Sequence, residues 1–129
     1  MNSQGFCKLE PLNTRESNFI TTAREALDLV RQLSLENVKL LIDYYHMRME
    51  NENPVIIQDA GKDLRHIHIA SKEGRLFPKP NDSENYDEFF ALLKASGYSG
   101  RVSIEGKSKD LAADGAVSLA LLRSLAASV

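Results

Sequence analysis

The segment His66-Ile67-His68-Ile69-Ala70 alternates polar and apolar side chains, a period of two that is typical of a β-strand. Three other short runs have similar strand character, and a longer helical pattern follows each of the four. The predicted strands are Phe6–Glu10, Val38–Asp43, Leu64–Ala70 and Arg101–Glu105. Strands that alternate with helices form βα units and a parallel sheet. The sequence therefore predicts an α/β fold with four βα units.

The helices are predicted from apolar spacing, caps and stop signals. They are Phe19–Leu33 behind a cap at Asn18, Pro54–Ala60 before Gly61, Tyr86–Ser96 before Gly97, and Leu111–Ala127. The connection Ser71–Glu84 is rich in proline and polar residues, and it is too long for a simple turn. We expect this connection to be a substrate-facing loop.

Alternation along the strands separates two faces of the predicted sheet. The apolar face, expected to pack under the helices, holds Cys7, Leu9, Val38, Leu40, Ile42, Ile67, Ile69, Val102 and Ile104. Cys7 is predicted to be a small buried hydrophobe on this face. The other face carries Lys8, Glu10, Lys39, Asp43, His66, His68, Arg101 and Glu105. Burying these charged groups is unfavourable unless they are paired, solvated or bound to a metal.

Four polar residues stand at or near the carboxyl ends of the strands, where parallel βα proteins build their sites: Glu10, Asp43, His68 and Glu105. Three carboxylates brought together repel one another, and a divalent cation at their centre reverses that penalty. Oxygen ligands with one imidazole suit Mn²⁺ first, with Mg²⁺ and Co²⁺ as alternatives. For Asp43 the alternative is a simple helix cap.

Composition limits the remaining classes of function. The 129 residues fit one domain, residues 1–129, and the net charge of −2 offers no basic face for nucleic acid. A single cysteine fits a reducing cytoplasm, and no apolar run is long enough to predict a membrane span. We therefore expect a cytoplasmic protein without nucleic-acid or membrane partners.

The amino-acid sequences around the strand ends are more specific evidence of function than the spacing of the four residues. The segments Leu9-Glu10-Pro11-Leu12-Asn13, Asp43-Tyr44-Tyr45-His46-Met47, His66-Ile67-His68-Ile69-Ala70 and Ser103-Ile104-Glu105-Gly106 follow in this order. Together they resemble the sugar isomerase and epimerase family, including sugar phosphate isomerases and ketose 3-epimerases, which has a xylose-isomerase-like TIM barrel. The resemblance covers nearly the whole chain and implies the C-terminal half of such a barrel.

The resemblance also implies roles for individual residues. Glu10, Asp43, His68 and Glu105 match the family's metal ligands, and His46 and Arg75 match its contacts to substrate oxygens. Glu10 and Glu105 are expected to be the catalytic acid and base on opposite sides of the substrate. The expected reaction moves a proton at the carbon beside a carbonyl of a sugar or polyol through an enediolate. His66 is expected to support the site from one layer deeper.

A complete TIM barrel needs about 250 residues and eight strands. The sequence therefore leaves two classes of function open: a metal-dependent sugar isomerase or epimerase, and a truncated, non-catalytic half-barrel that retains metal binding or serves as an assembly partner. An endonuclease of the same superfamily is a distant third, since more histidine ligands and a basic surface would be expected of it. We expect either a homo-oligomer or a complementing N-terminal half to close the exposed sheet edges.

Overall fold

The computed structural model describes residues 5–128, so the predicted domain 1–129 extends beyond them by residues 1–4 and 129. Its centre is one sheet of four parallel strands in the order β1-β2-β3-β4: Cys7–Leu9, Val38–Asp43, Leu64–Ile69 and Arg101–Ile104. Neighbours in the sheet are also neighbours in sequence, which is the usual arrangement of consecutive strands. The predicted α/β fold with four βα units and a parallel sheet is confirmed.

The register between the strands places the predicted site residues side by side. Asp43 on β2 pairs with His68 on β3, and His68 pairs with Ser103 on β4. An irregularity beside Leu40 lets β3 contain one more residue than β2 over the same length, since Leu40 pairs with Leu64 and Leu41 with His66. Leu64 and Ile67 are consequently both buried, although they are three residues apart.

The two faces of the sheet separate as predicted, with one correction. The apolar face packs against the helices in a core whose sheet members are Leu40, Ile42, Leu64, Ile67 and Ile69. The prediction that Cys7 is buried is wrong, because its side chain is exposed. β1 has only three residues at the edge of the sheet, and only Leu9 among them is partly buried.

The first helix, α1, spans Ala23–Leu33 and starts four residues later than predicted. Its cap is Thr22, whose side chain accepts a hydrogen bond from the Glu25 amide, so the predicted cap at Asn18 is wrong. The carboxylate of Glu52 accepts two further bonds, from the amides of Ala23 and Arg24. Two sources of acceptors thus satisfy the free amides at this helix start.

The remaining helices are α2 (Tyr44–Met49), α3 (Ile56–Ala60), α4 (Tyr86–Ala95) and α5 (Leu111–Ala127). α2 was not predicted, since six residues are too few to show a helical period. α3 begins two residues after the predicted Pro54 and runs into a 3₁₀ turn at Gly61–Asp63, and α4 ends one residue early. The bounds of α5 agree with the prediction. Among the described residues, no helix combines the length and apolar character needed to cross a membrane.

The buried carboxylate of Glu84 ties the two ends of the connection between β3 and α4 together and to α2. Glu84 accepts hydrogen bonds from the Lys72 amide at 2.7 Å, from Arg48 Nε at 2.6 Å and from the Tyr44 hydroxyl at 2.9 Å. Burial raises the pKa of Glu84, but the three donors outweigh burial and bring the pKa below its usual value. The loop is therefore held against α2 rather than free in solvent.

Candidate metal centre and sugar site

The structure brings the four strand-end residues together at the carboxyl edge of the sheet. Asp43 ends β2 and His68 is the penultimate residue of β3, while Glu10 and Glu105 directly follow β1 and β4. Each residue offers one ligand atom, and these four atoms lie within 4.8 Å of one another. The grouping follows from topology, since the carboxyl ends of adjacent parallel strands meet at the same edge.

The imidazole of His68 lies between the three carboxylates. Its Nδ1 is 3.7 Å from Glu10 Oε2, 3.7 Å from Asp43 Oδ2 and 2.5 Å from Glu105 Oε2. The Asp43 side chain is fully buried, whereas about half of the Glu105 side chain is exposed at 48%. The centre is therefore closed at Asp43 and open to solvent at Glu105.

Crowding of the carboxylates affects their protonation. Burial raises the pKa of Glu10, and the negative charges of Asp43 and Glu105 raise it further. Burial also raises the pKa of Asp43, against the opposing effects of His46, the Tyr45 amide and Arg75. Two acids with raised pKa values beside a third carboxylate are costly to ionise together unless a cation offsets their charge.

The donor set fits a divalent metal ion. Asp43 Oδ2 is buried and makes no hydrogen bond, although buried polar atoms normally have a partner, and the close polar neighbours of the buried His68 Nδ1 are carboxylate oxygens of the same cluster. The other oxygen of Asp43 caps α2 by accepting from the amides of Tyr45 and His46, so Asp43 has one oxygen for the helix and one for the centre. Three carboxylates and one imidazole match the ligand preferences of Mn²⁺, Mg²⁺ and Co²⁺.

The structure also brings His46 and Arg75, the predicted substrate contacts, to this centre. Arg75 lies in the loop after β3, and one of its terminal nitrogens is 3.0 Å from Glu105 Oε1 and 3.5 Å from His46 Nε2. The guanidinium also covers the ring of Tyr45, with 4.6 Å from its central carbon to the ring centroid. Arg75 and His46 therefore present nitrogen donors to the space beside the carboxylates.

Gly106 allows this loop to approach β4 closely. A Cβ at position 106 would lie 2.9 Å from the carbonyl oxygen of Arg75 and 3.3 Å from the Ala70 Cβ. The same carbonyl accepts a hydrogen bond of 2.7 Å from the Lys107 amide. The residue after Glu105 thus helps to set the position of Arg75.

His66 lies one layer below the centre, as expected. Its Nε2 is 2.9 Å from Ser103 Oγ, and its ring meets that of His68 edge to face with 5.1 Å between centroids. Burial lowers the pKa of His66, and the charge of His68 adds to this effect. His66 is thus held by Ser103 and packs against the ring of His68.

Two site residues were missed by the sequence reasoning. Asn13 is buried and contacts His46, and Glu16 contacts both Asn13 and Arg75, at 2.8 Å and 3.7 Å. Asn13 stands in the segment that resembles the epimerase family, which was the available signal. Its contact with His46 depends on the path of the connection between β1 and α1, which no local pattern specifies.

Comparisons with known proteins identify the family of this chain. A family model described as a xylose isomerase-like TIM barrel matches residues 7–125. The chain is 34% identical over 109 residues to a ketose 3-epimerase of Arthrobacter globiformis, covering 81% of this chain and 36% of that protein. It is 31% identical over 100 residues to a 3-dehydro-D-guloside 4-epimerase of Escherichia coli, with coverage of 77% and 37%.

A solved structure gives the same result for the fold. The D-psicose 3-epimerase with D-tagatose from Clostridium cellulolyticum H10 superposes with a TM-score of 0.83 at 27% identity, covering 92% of this chain and 48% of that one. The chain spans less than half the length of each of these three relatives. Its four parallel βα units correspond to half of a TIM barrel, and the chain belongs to the family of xylose-isomerase-like TIM barrels, whose members similar to it include sugar epimerases.

Proposed function

We propose that this chain carries the metal centre and the proton-transfer groups of a divalent-metal-dependent sugar epimerase or isomerase. The observation that carries the proposal is the convergence of Glu10, Asp43, His68 and Glu105 within 4.8 Å, with Oδ2 of Asp43 buried and without a hydrogen bond. The names of the relatives support the class of reaction, since ketose 3-epimerases are among them.

The four clustered residues would hold the ion, which we propose to be Mn²⁺, with Mg²⁺ and Co²⁺ as alternatives. When bound, such an ion supplies positive charge that favours development of negative charge on a substrate carbonyl oxygen. The predicted ligands are all contributed by this chain, and the fully buried Asp43 gives the site a rigid side.

Glu10 and Glu105 are the proposed catalytic pair. They follow the two edge strands of the sheet, β1 and β4, and so approach the centre from opposite directions. In one direction of the reaction, ionised Glu105 takes the proton from the carbon beside the carbonyl, giving an enediolate, and Glu10, whose pKa is raised by burial and by the neighbouring carboxylates, is protonated and returns a proton to the opposite face. Exchange of faces inverts that carbon, which is epimerisation.

His46 and Arg75 are the proposed contacts to the oxygens of a small sugar or polyol. His46 is buried, and stacking on Tyr45 limits the positions that the Arg75 guanidinium can adopt. Both are nitrogen donors within reach of the carboxylates, where they would orient hydroxyl or carbonyl oxygens of the substrate. The rest of the sugar pocket would come from the loop 71–84 and from outside this chain.

We propose that the sheet edges at β1 and β4 are covered by a second copy of this single-domain chain or by a complementing N-terminal half. The proposal rests on unpaired edges and on the shared half of the barrel. The compartment we propose is the cytoplasm, on the grounds of the single cysteine. Sedimentation that finds only a compact monomer at micromolar concentration would contradict the homo-oligomer.

A second candidate function is a non-catalytic half-barrel that retains metal binding or serves as an assembly partner. One observation favours it: all four residues of the cluster lie in this chain, which spans less than half the length of the three relatives named above. Metal binding could thus persist without a complete sugar pocket. In this second candidate function the chain binds the ion but does not catalyse the reaction.

The test is metal-dependent exchange of substrate C–H protons with deuterated water across a panel of ketoses, together with calorimetric titration of Mn²⁺. The first candidate predicts exchange that Glu10→Gln and Glu105→Gln each reduce by about 100-fold or more. Glu36→Gln, at an exposed glutamate, is the matched control and should leave exchange unchanged. Mn²⁺ binding without exchange favours the second candidate, and absence of both contradicts the metal centre itself.

A further inference from the structure

Asn13 is a fully buried polar residue, at 1% exposure, in the connection between β1 and α1. Its side-chain oxygen Oδ1 accepts a hydrogen bond of 2.9 Å from the Arg15 amide. A backbone amide can only donate, so this contact fixes which end of the Asn13 amide carries the oxygen. The nitrogen Nδ2 must therefore face the opposite way, toward Glu16 and His46.

The two contacts of Nδ2 determine the protonation of the His46 ring. Nδ2 donates to Glu16 Oε2 at 2.8 Å and lies 2.8 Å from His46 Nδ1. The backbone amide of Asn13 also donates to the same Nδ1 at 3.1 Å. Because both neighbours of Nδ1 are donors, Nδ1 must be an acceptor, and the proton of the neutral ring lies on Nε2.

The other side of the ring faces the metal centre. His46 Nε2 is 4.0 Å from Glu10 Oε2 and 3.5 Å from a terminal nitrogen of Arg75. A guanidinium nitrogen has no acceptor to offer to an Nε2–H group. The Nε2–H is therefore available for an oxygen placed between Glu10 and Arg75.

We propose that Asn13 is a positioning residue that holds His46 as the Nε2–H tautomer, so that the imidazole donates a hydrogen bond to a substrate oxygen and does not act as a base. This inference rests on the proposed function for the identity of the acceptor, but the tautomer itself is a property of the chain. Glu16 does not fill the same role, since its carboxylate is 3.7 Å from Nδ1.

The test is a long-range ¹H–¹⁵N spectrum of the full chain labelled with ¹⁵N-histidine, in the presence of Mg²⁺, which is diamagnetic. The chain has three histidines, and the spectrum of His46→Gln identifies the signals of position 46. In the wild type, Nδ1 of His46 is expected among unprotonated ring nitrogens and Nε2 among protonated ones. The reverse pattern in the wild type would overturn the proposal without any further variant.

Asn13→Asp tests the side chain, because it replaces the donor at Nδ1 by an acceptor of the same shape. We expect the His46 Nδ1 signal to move toward the protonated region in this variant. Asn18→Asp, the same substitution at an exposed position of the same connection, should leave it unchanged. An unchanged Nδ1 signal in folded Asn13→Asp would overturn the role of the side chain. If Asn13→Asp does not fold, Asn13→Ala, which keeps the backbone donor and removes the side-chain donor, should shift the His46 Nδ1 signal part of the way toward the protonated region, and an unchanged signal would overturn the same role.

The outcome is separable from that of the proposed function. If the wild type exchanges no substrate protons but the tautomer depends on Asn13, the proposed reaction fails and the positioning stands. If exchange occurs, Asn13→Asp should lower its kcat more than it raises KM, since a misplaced donor weakens transition-state stabilisation. Exchange that is unaffected while the tautomer changes would overturn the role of the Nε2–H donor.

Discussion

Replacing Asp43 by asparagine should stabilise the chain in the presence of a chelator and destabilise it, relative to the wild type, in the presence of Mn²⁺. The side chain is fully buried, and its Oδ2 makes no hydrogen bond. Burial raises the pKa of Asp43, so the ionised form lowers stability near neutral pH. Asparagine keeps the oxygen that caps α2 and removes the charge.

The size of the effect can be worked out for each condition. Leaving a buried group without a partner costs about 1–3 kcal/mol, and more when the group is charged, so the neutral side chain of Asp43→Asn should gain about 1–2 kcal/mol with chelator. Mn²⁺ at 100 times its Kd stabilises the wild type by about 2.7 kcal/mol. If the variant binds the ion about 100-fold more weakly, it gains only about 0.4 kcal/mol at the same concentration.

The assay is thermal unfolding of both proteins with EDTA and with Mn²⁺, where 1 kcal/mol corresponds to about 3–5 °C for a domain of this size. The variant should melt higher than the wild type in EDTA, and the order should reverse in Mn²⁺. Asp28→Asn, at an aspartate with 65% side-chain exposure, is the matched control and should show the wild-type response to Mn²⁺. A variant that loses stability in EDTA, or that gains as much from Mn²⁺ as the wild type, would refute the reasoning.

Two further predictions concern the loop that carries Arg75. Gly106→Ala should push the Arg75 carbonyl away from β4 and weaken substrate binding by about 10-fold, seen as a raised KM in the exchange assay; an unchanged KM would count against it. Glu84→Gln should lower the free energy of unfolding by about 2 kcal/mol in urea titrations, less than for a fully buried pair because 37% of the Arg48 side chain is exposed. Since the pKa of Glu84 is lowered in the fold, this difference should be complete above pH 4.5, the ordinary value, and should shrink as the pH falls below it. A difference that grows toward low pH would contradict the assigned contacts.

The strands and the grouping of the four candidate ligands could be predicted from the sequence. A period of two is a local property, and all four predicted strands agree with the structure to within one residue at each end. Parallel βα order then brings the carboxyl ends of the strands to one edge, so Glu10, Asp43, His68 and Glu105 meet there by topology alone. His46 and Arg75 came from the resemblance to the epimerase family.

Helix starts were harder to predict because several acceptors compete for the first amides. Thr22-Ala-Arg-Glu25 is a capping-box sequence that would have placed the start of α1 correctly, but Asn18 offered another cap and predicted an earlier start. The second contribution to this cap comes from Glu52, which is far along the chain. The contribution of Glu52 could not be predicted from the local sequence around residue 22.

The sequence by itself determined the parallel βα order and the four polar strand ends, because both follow from short-range patterns. Only the tertiary structure decided that Asn13 would be buried against His46 and that Glu84 would close the loop 71–84. Each of these contacts joins an irregular segment to a distant helix or loop residue. Side-chain hydrogen bonds of this kind depend on the full path of the backbone, and this path is fixed only when the whole core has packed.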